Sequence, residues 1–165
     1  MKHLLVIAAA LALLASGCGG GSDGDATAQG DSGSVPSVEA VDGLTKAELI
    51  AQADAICEET DKKQEAALKA FLKKHPNAGS DPKGQAQMVK EAGLPPIRAE
   101  VEEIAALGAP AGEEDQVQAI LDGIQQAIEK GEKNPEALLG KSPSPFDAVG
   151  KQAAKYGFNA CSNAL

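Results

Sequence analysis

The chain has no Trp, one Tyr, three Phe and two His among its 165 residues, and its 15 basic side chains face 24 acidic ones. With a formal charge of −9 and no basic stripe, it lacks the clustered Lys and Arg whose counterion release drives binding to phosphate backbones. Tyr156, Phe71, Phe146 and Phe158 are too few and too scattered to stack bases. Nucleic acid is therefore not expected as a partner. The shortage of His leaves little from which to build a catalytic triad or a zinc site, and no metal or cofactor is expected. A core short of rings must be made of Ala, Leu, Ile and Val, which bury less area per residue.

What the chain does have begins at its first residue. Met1, Lys2 and His3 form a short positive start, an unbroken apolar run follows over residues 4–14, and Ala15-Ser16-Gly17 leads to Cys18. That is the layout of a secretion signal. As a helix, the stretch from Leu4 to Ser16 would measure about 20 Å at roughly 1.5 Å per residue, too short for a hydrocarbon layer of about 30 Å. The Leu-Ala-Ser-Gly-Cys ending resembles the lipobox of bacterial lipoproteins, although Ala15 stands where the pattern usually has Leu. The resemblance implies that Cys18 receives a diacylglycerol and becomes the first residue after cleavage. An ordinary signal, cut after the small residues Ala15 and Gly17, is the alternative.

The three cysteines are consistent with lipidation, because an odd number outside the cytoplasm leaves one unpaired unless one is modified. With Cys18 lipidated, Cys57 and Cys161 are expected to form a disulfide. A closed loop of about 100 residues corresponds to about 4.7 kcal/mol in the chain-entropy model, which strain reduces. Two buried free thiols are the alternative. These features divide the chain into a signal peptide over 1–17, a lipidated Cys with a disordered Gly/Ser/Asp tether over 18–43, and a helical domain over 44–165. The tether is poor in large apolar residues and cannot offset its ordering entropy by burial.

From Leu44 onward the pattern is helical throughout. Thr45 with Glu48 makes a capping box, and the apolar spacing carries that helix to about Lys74, before His75-Pro76. A second start at Asp81-Pro82 runs to about Ala92, where Gly93-Leu94-Pro95-Pro96 breaks or kinks it. Ile97, Val101, Ile104 and Leu107 resume the spacing up to Gly108. Another helix spans about 111–130, with Glu113, Glu114 and Asp115 complementing the positive end of its dipole. Asn134-Pro135 starts a short turn, and Ser144-Pro145-Phe146-Asp147 caps a last helix to about Tyr156. No alternating strand pattern is found, so the fold class is all-α, a small bundle of about four helices closed by one disulfide.

The Ala-Asp-Ala-Ile-Cys segment ending at Cys57 in the first helix, with Tyr156-Gly157-Phe158 ahead of Cys161, resembles small secreted helical lipoproteins of actinobacteria. The resemblance implies the same cysteine pairing and an extracytoplasmic address, and it carries no activity. Chemistry is sparse on other grounds as well. His75 reads as a helix cap, and Ser80-Asp81-Pro82-Lys83 matches an S-x-x-K spacing without its companion motifs. Pairs such as Glu100 with Glu103 read as a solvated helix face. Tyr156 and Phe158 are candidate lining for an apolar ligand site, or else core plugs beside the disulfide. The expectation is a non-catalytic protein with a binding or envelope-organising role, held to the outer face of the cell membrane through a lipid on Cys18. Its partner would be an envelope protein or a small apolar ligand. A carrier of such a ligand or of a lipid is the second reading, and a cell-wall hydrolase the third.

Overall fold

The Thr45 hydroxyl accepts from the Glu48 N–H at 3.2 Å while the Glu48 carboxylate accepts from the Thr45 N–H at 2.9 Å, and this reciprocal box opens α1, Lys46–Lys74. The structure, a computed structural model, describes residues 34–140 and 143–164. The signal peptide, Cys18 and the tether up to residue 33 lie outside the described residues. After α1 come α2 (Pro82–Met88), α3 (Leu94–Leu107), α4 (Glu114–Lys133), α5 (Asp147–Tyr156) and α6 (Asn159–Ala164). Short 3₁₀ turns lie at Ala78–Ser80 and Pro135–Leu138, and no strand ladder forms among the described residues.

The 29 residues of α1 make a spine about 43 Å long at roughly 1.5 Å per residue. α3 packs on one flank of it and α6 on another, α4 packs on α3, and α5 bridges α4 and α6. The helices thus form a ring of neighbours that returns to α1. Cys57 and Cys161 close the ring as a disulfide, with 5.1 Å between their Cα atoms. The all-α bundle with one disulfide is thereby shown. The main core is aliphatic, built on Leu49, Val101, Ile104, Val117, Leu121 and Ile124 with Phe158 and Phe146 as its large fillers. A smaller cluster of Phe71, Ala78 and Ala92 lies under the far end of α1.

Two expectations need correction. The tether was expected to reach residue 43, but residues 35–41 are a strap folded onto the domain. Val38 is buried, the Val41 N–H donates to the Ala109 carbonyl at 2.8 Å, and the Ala109 N–H donates to the Glu39 carbonyl at 2.8 Å. The Val38 N–H donates to Gln118 Oε1 at 2.7 Å. Gly108, at φ 71°, makes room for this strap, since a Cβ there would fall 2.4 Å from Val41 Cγ2 and 2.7 Å from the Glu39 carbonyl. The helix that ends at Tyr156 was expected to be the last, but the chain goes on past Gly157. It forms α6, held by the disulfide and by the Ala160 N–H donating to Asp54 Oδ1 at 3.0 Å.

Candidate functional site

Pro95 and Pro96 have no N–H to donate, and their rings crowd the carbonyls of the preceding turn. The chain does not break there. It widens instead into a π turn over Val89–Gly93, in which the Leu94 N–H donates to the Val89 carbonyl five residues back. Such turns are frequent at functional sites. Gln64 Nε2 fastens this one to α1 by donating to the Gly93 carbonyl at 2.9 Å.

Beside the π turn lies a half-open cavity of about 270 Å³. Its apolar lining comes from α1 to α3 through Leu68, Met88, Val89, Leu94 and Ile97, and from the later chain through Leu138, Leu139 and Phe146. Gln64 and Ser144 supply its polar atoms, and the Ser144 hydroxyl accepts from the Phe146 N–H at 3.3 Å. Leu68 and Met88 pack with the small cluster, whereas the remaining apolar lining belongs to the main core or packs against it, so the cavity occupies the seam between two cores. Its volume is at the lower edge of the range for small-molecule sites, and its lining is predominantly apolar with a few polar groups, as such sites commonly are.

No known protein family, curated protein or solved structure matches this chain. The site must be read from its own chemistry.

On the neighbouring side of α2 is an open cleft of about 390 Å³, lined by Lys74, His75, Asn77, Asp81, Lys83 and Gln87 among others. The His75 ring packs on Phe71 with centroids 4.6 Å apart, and its backbone N–H donates to the Phe71 carbonyl at the end of α1. Asp81 caps α2, its Oδ1 accepting from the Gly84 N–H at 2.9 Å. Gly84 sits tight against the Ala78 backbone, where a Cβ would come within 2.5 Å. Of the S-x-x-K pair, Lys83 lines the cleft, while Ser80 is exposed on its 3₁₀ turn and outside the lining. Among the described residues, no group of three or more His, Cys, Asp or Glu is placed to hold a metal ion, and no helix is long and apolar enough to cross a membrane.

Tyr156 and Phe158 line neither the cavity nor the cleft. Both are core residues, 3% and 1% exposed, with ring centroids 4.7 Å apart. The Tyr156 hydroxyl reaches Glu113 at 2.6 Å, Lys46 Nζ lies 3.2 Å from the same carboxylate, and that ammonium sits 3.8 Å above the Tyr156 ring. The hydrogen bond from Tyr156, with the Lys46 ammonium second, holds the Glu113 carboxyl below its usual range. Burial, with the Glu113 hydrogen bond second, pushes the phenol up. This cluster pins the starts of α1 and α4 to the end of α5. No local signal announces it, because Glu113 and Tyr156 are far apart in sequence.

Glu100 corrects another expectation. Expected on a solvated face with Glu103, it is 1% exposed, one turn beyond Ile97 on the buried side of α3. One carboxyl oxygen, Oε1, has no hydrogen-bond partner. Burial pushes its pKa up to about 7; a hydrogen bond with Thr60 opposes the rise, and the charges of Asp61 and Glu103 add to it. The signal was present in the sequence, since position 100 lies three after Ile97 and four before Ile104 on the apolar stripe.

Proposed function

We propose that the chain is a lipid-anchored, extracytoplasmic, non-catalytic binding protein that holds a small apolar ligand in the seam cavity. The observation that carries the binding role is the lining, in which Leu68, Met88, Val89, Leu94, Ile97 and Phe146 surround a space left unfilled at the junction of two cores. The cavity is half-open, so its apolar walls face solvent, and covering them with an apolar ligand removes that surface from water. The extracytoplasmic address rests on the signal layout ending at Cys18 and on the likeness to actinobacterial lipoproteins, and the disulfide agrees with it. Of the two binding readings, the cavity favours the carrier over an envelope-organising role.

Two measurements test this. Organic extracts of the purified full chain, read by mass spectrometry, should contain a ligand that Leu68→Trp, which fills the cavity, no longer retains. A wild-type chain that comes away empty and also fails to take up the apolar dye N-phenyl-1-naphthylamine would sink the binding role. For the address, Cys18→Ala should leave the protein unprocessed or release it from the membrane fraction. Unchanged processing and retention would refute the anchor.

A further inference from the structure

Two polar side chains line the seam cavity, Gln64 and Ser144, and the fold holds each of them in orientation. Gln64 Nε2 donates to the Gly93 carbonyl at 2.9 Å. A carbonyl only accepts, so this bond decides which way the amide is turned, and Oε1 is left as an acceptor with no donor among the described residues. Ser144 is fixed through its backbone, whose N–H donates to Asp147 Oδ2 at 3.1 Å and whose carbonyl accepts from the Asp147 N–H at 3.1 Å. Its hydroxyl oxygen accepts from the Phe146 N–H at 3.3 Å, and the hydroxyl proton has no acceptor among the described residues. In the open cavity water serves both groups. A purely apolar ligand would displace that water and leave one acceptor and one donor unpaired, a desolvation cost that works against the gain from covering the apolar walls.

We infer that the ligand of the seam cavity is a compact apolar alcohol, whose hydroxyl donates to Gln64 Oε1 and accepts from the Ser144 hydroxyl. This rests on the apolar-ligand reading above and deepens it by naming the polar group the ligand carries. A hydroxyl both donates and accepts, so one small group answers both side chains. A ketone or an ester accepts only and leaves Gln64 Oε1 unpaired, and an ammonium donates only and leaves the Ser144 proton unpaired. The size follows from the volume. An engineered apolar cavity of about 150 Å³ takes up benzene, so by proportion about 270 Å³ encloses on the order of ten carbon atoms. A few placed polar groups in an apolar pocket orient what it binds.

The test uses the full chain with its disulfide formed and three volatile probes on one carbon skeleton of about that size: p-menthane, which has no oxygen, menthone, which only accepts, and menthol, which does both. Binding is read from depletion of the vapour above the protein solution. Ser144→Ala should weaken menthol and menthone about fivefold relative to p-menthane, the loss of one hydrogen bond. Gln64→Leu should weaken menthol about fivefold relative to both other probes. Loosening of the π turn in that variant would move all three probes together, so the ratios between probes carry the result. Ratios that neither substitution changes would overturn the alcohol and leave the cavity reading intact. Menthone falling as far as menthol in Gln64→Leu would refute the bond donated to Oε1, and with it the hydroxyl. A wild-type chain that takes up none of the probes, or binding that survives both Leu68→Trp and Met88→Trp, would overturn the cavity reading and this inference with it.

Discussion

Glu100 makes the stability of this domain depend on pH in a direction opposite to that of most carboxylates. Its pKa rises from 4.5 in the unfolded chain to about 7 in the fold. Between those values the native state keeps a proton that the unfolded chain has released, so stability falls as pH rises through that window. Below it both states are protonated and nothing is lost; above it both are ionised and the full cost is present. At about 1.36 kcal/mol per pH unit, the loss is on the order of 3 kcal/mol, a large part of the stability of a small domain. Glu100→Gln keeps the shape and cannot ionise. Urea unfolding of the oxidised full chain and of the variant, at several values between pH 4.5 and pH 8, yields the difference between them. That difference should move in favour of Gln by on the order of 3 kcal/mol across the window and then level off. A fixed offset is expected from the changed hydrogen bonding with Thr60, and only the pH-dependent part bears on the argument. A difference that stays flat from acid to alkali would refute the reasoning.

Three further outcomes are expected. Replacing Cys57 and Cys161 together by Ala should cost up to about 4.7 kcal/mol in equilibrium unfolding, with faster amide exchange in α6 than elsewhere, because that helix is short and bonded to α1 through the bridge. Thr45→Ala removes one half of the capping box and should cost about 1 kcal/mol, read from the denaturation midpoint at unchanged m-value. Tyr156→Phe removes the main cause of the lowered Glu113 pKa, so the carboxyl should titrate at higher pH, visible by NMR; an unmoved titration would show that Lys46 alone sets it.

The parts of the fold that could be read from the chain are those governed by nearby residues. Thr45 and Glu48 are three apart, so the start of α1 is written in a single turn of sequence. The stripes of α3 and α4 repeat at helical spacing because each helix buries one face, and the cysteine pair follows from counting. What was missed depends on distant partners. The strap looks like linker because nothing near Val38 reveals that Ala109 and Gln118 will satisfy its backbone. α6 has only six residues and stands because Cys161 and Asp54 hold it. At Gly93-Leu94-Pro95-Pro96, local rules indicate an interruption, and tertiary packing turned that interruption into a widened turn fastened by Gln64. The cavity belongs to no single element. It arises where two cores fail to merge, and it has no signature at any one position.

The disulfide divides the chain into a covalent ring and two tails. Every residue that lines the cavity, from Gln64 to Phe146, lies between the bridged cysteines, whereas the strap lies before them. A proteolytic nick anywhere in the ring leaves both fragments joined through sulfur, so the walls of the cavity stay together after the backbone is cut. A cut ahead of Cys57 severs only the N-terminal part of the chain. A chain cut there keeps the cavity walls whole, and the oxidised and reduced forms should differ in whether the two pieces of a chain nicked within the ring stay together.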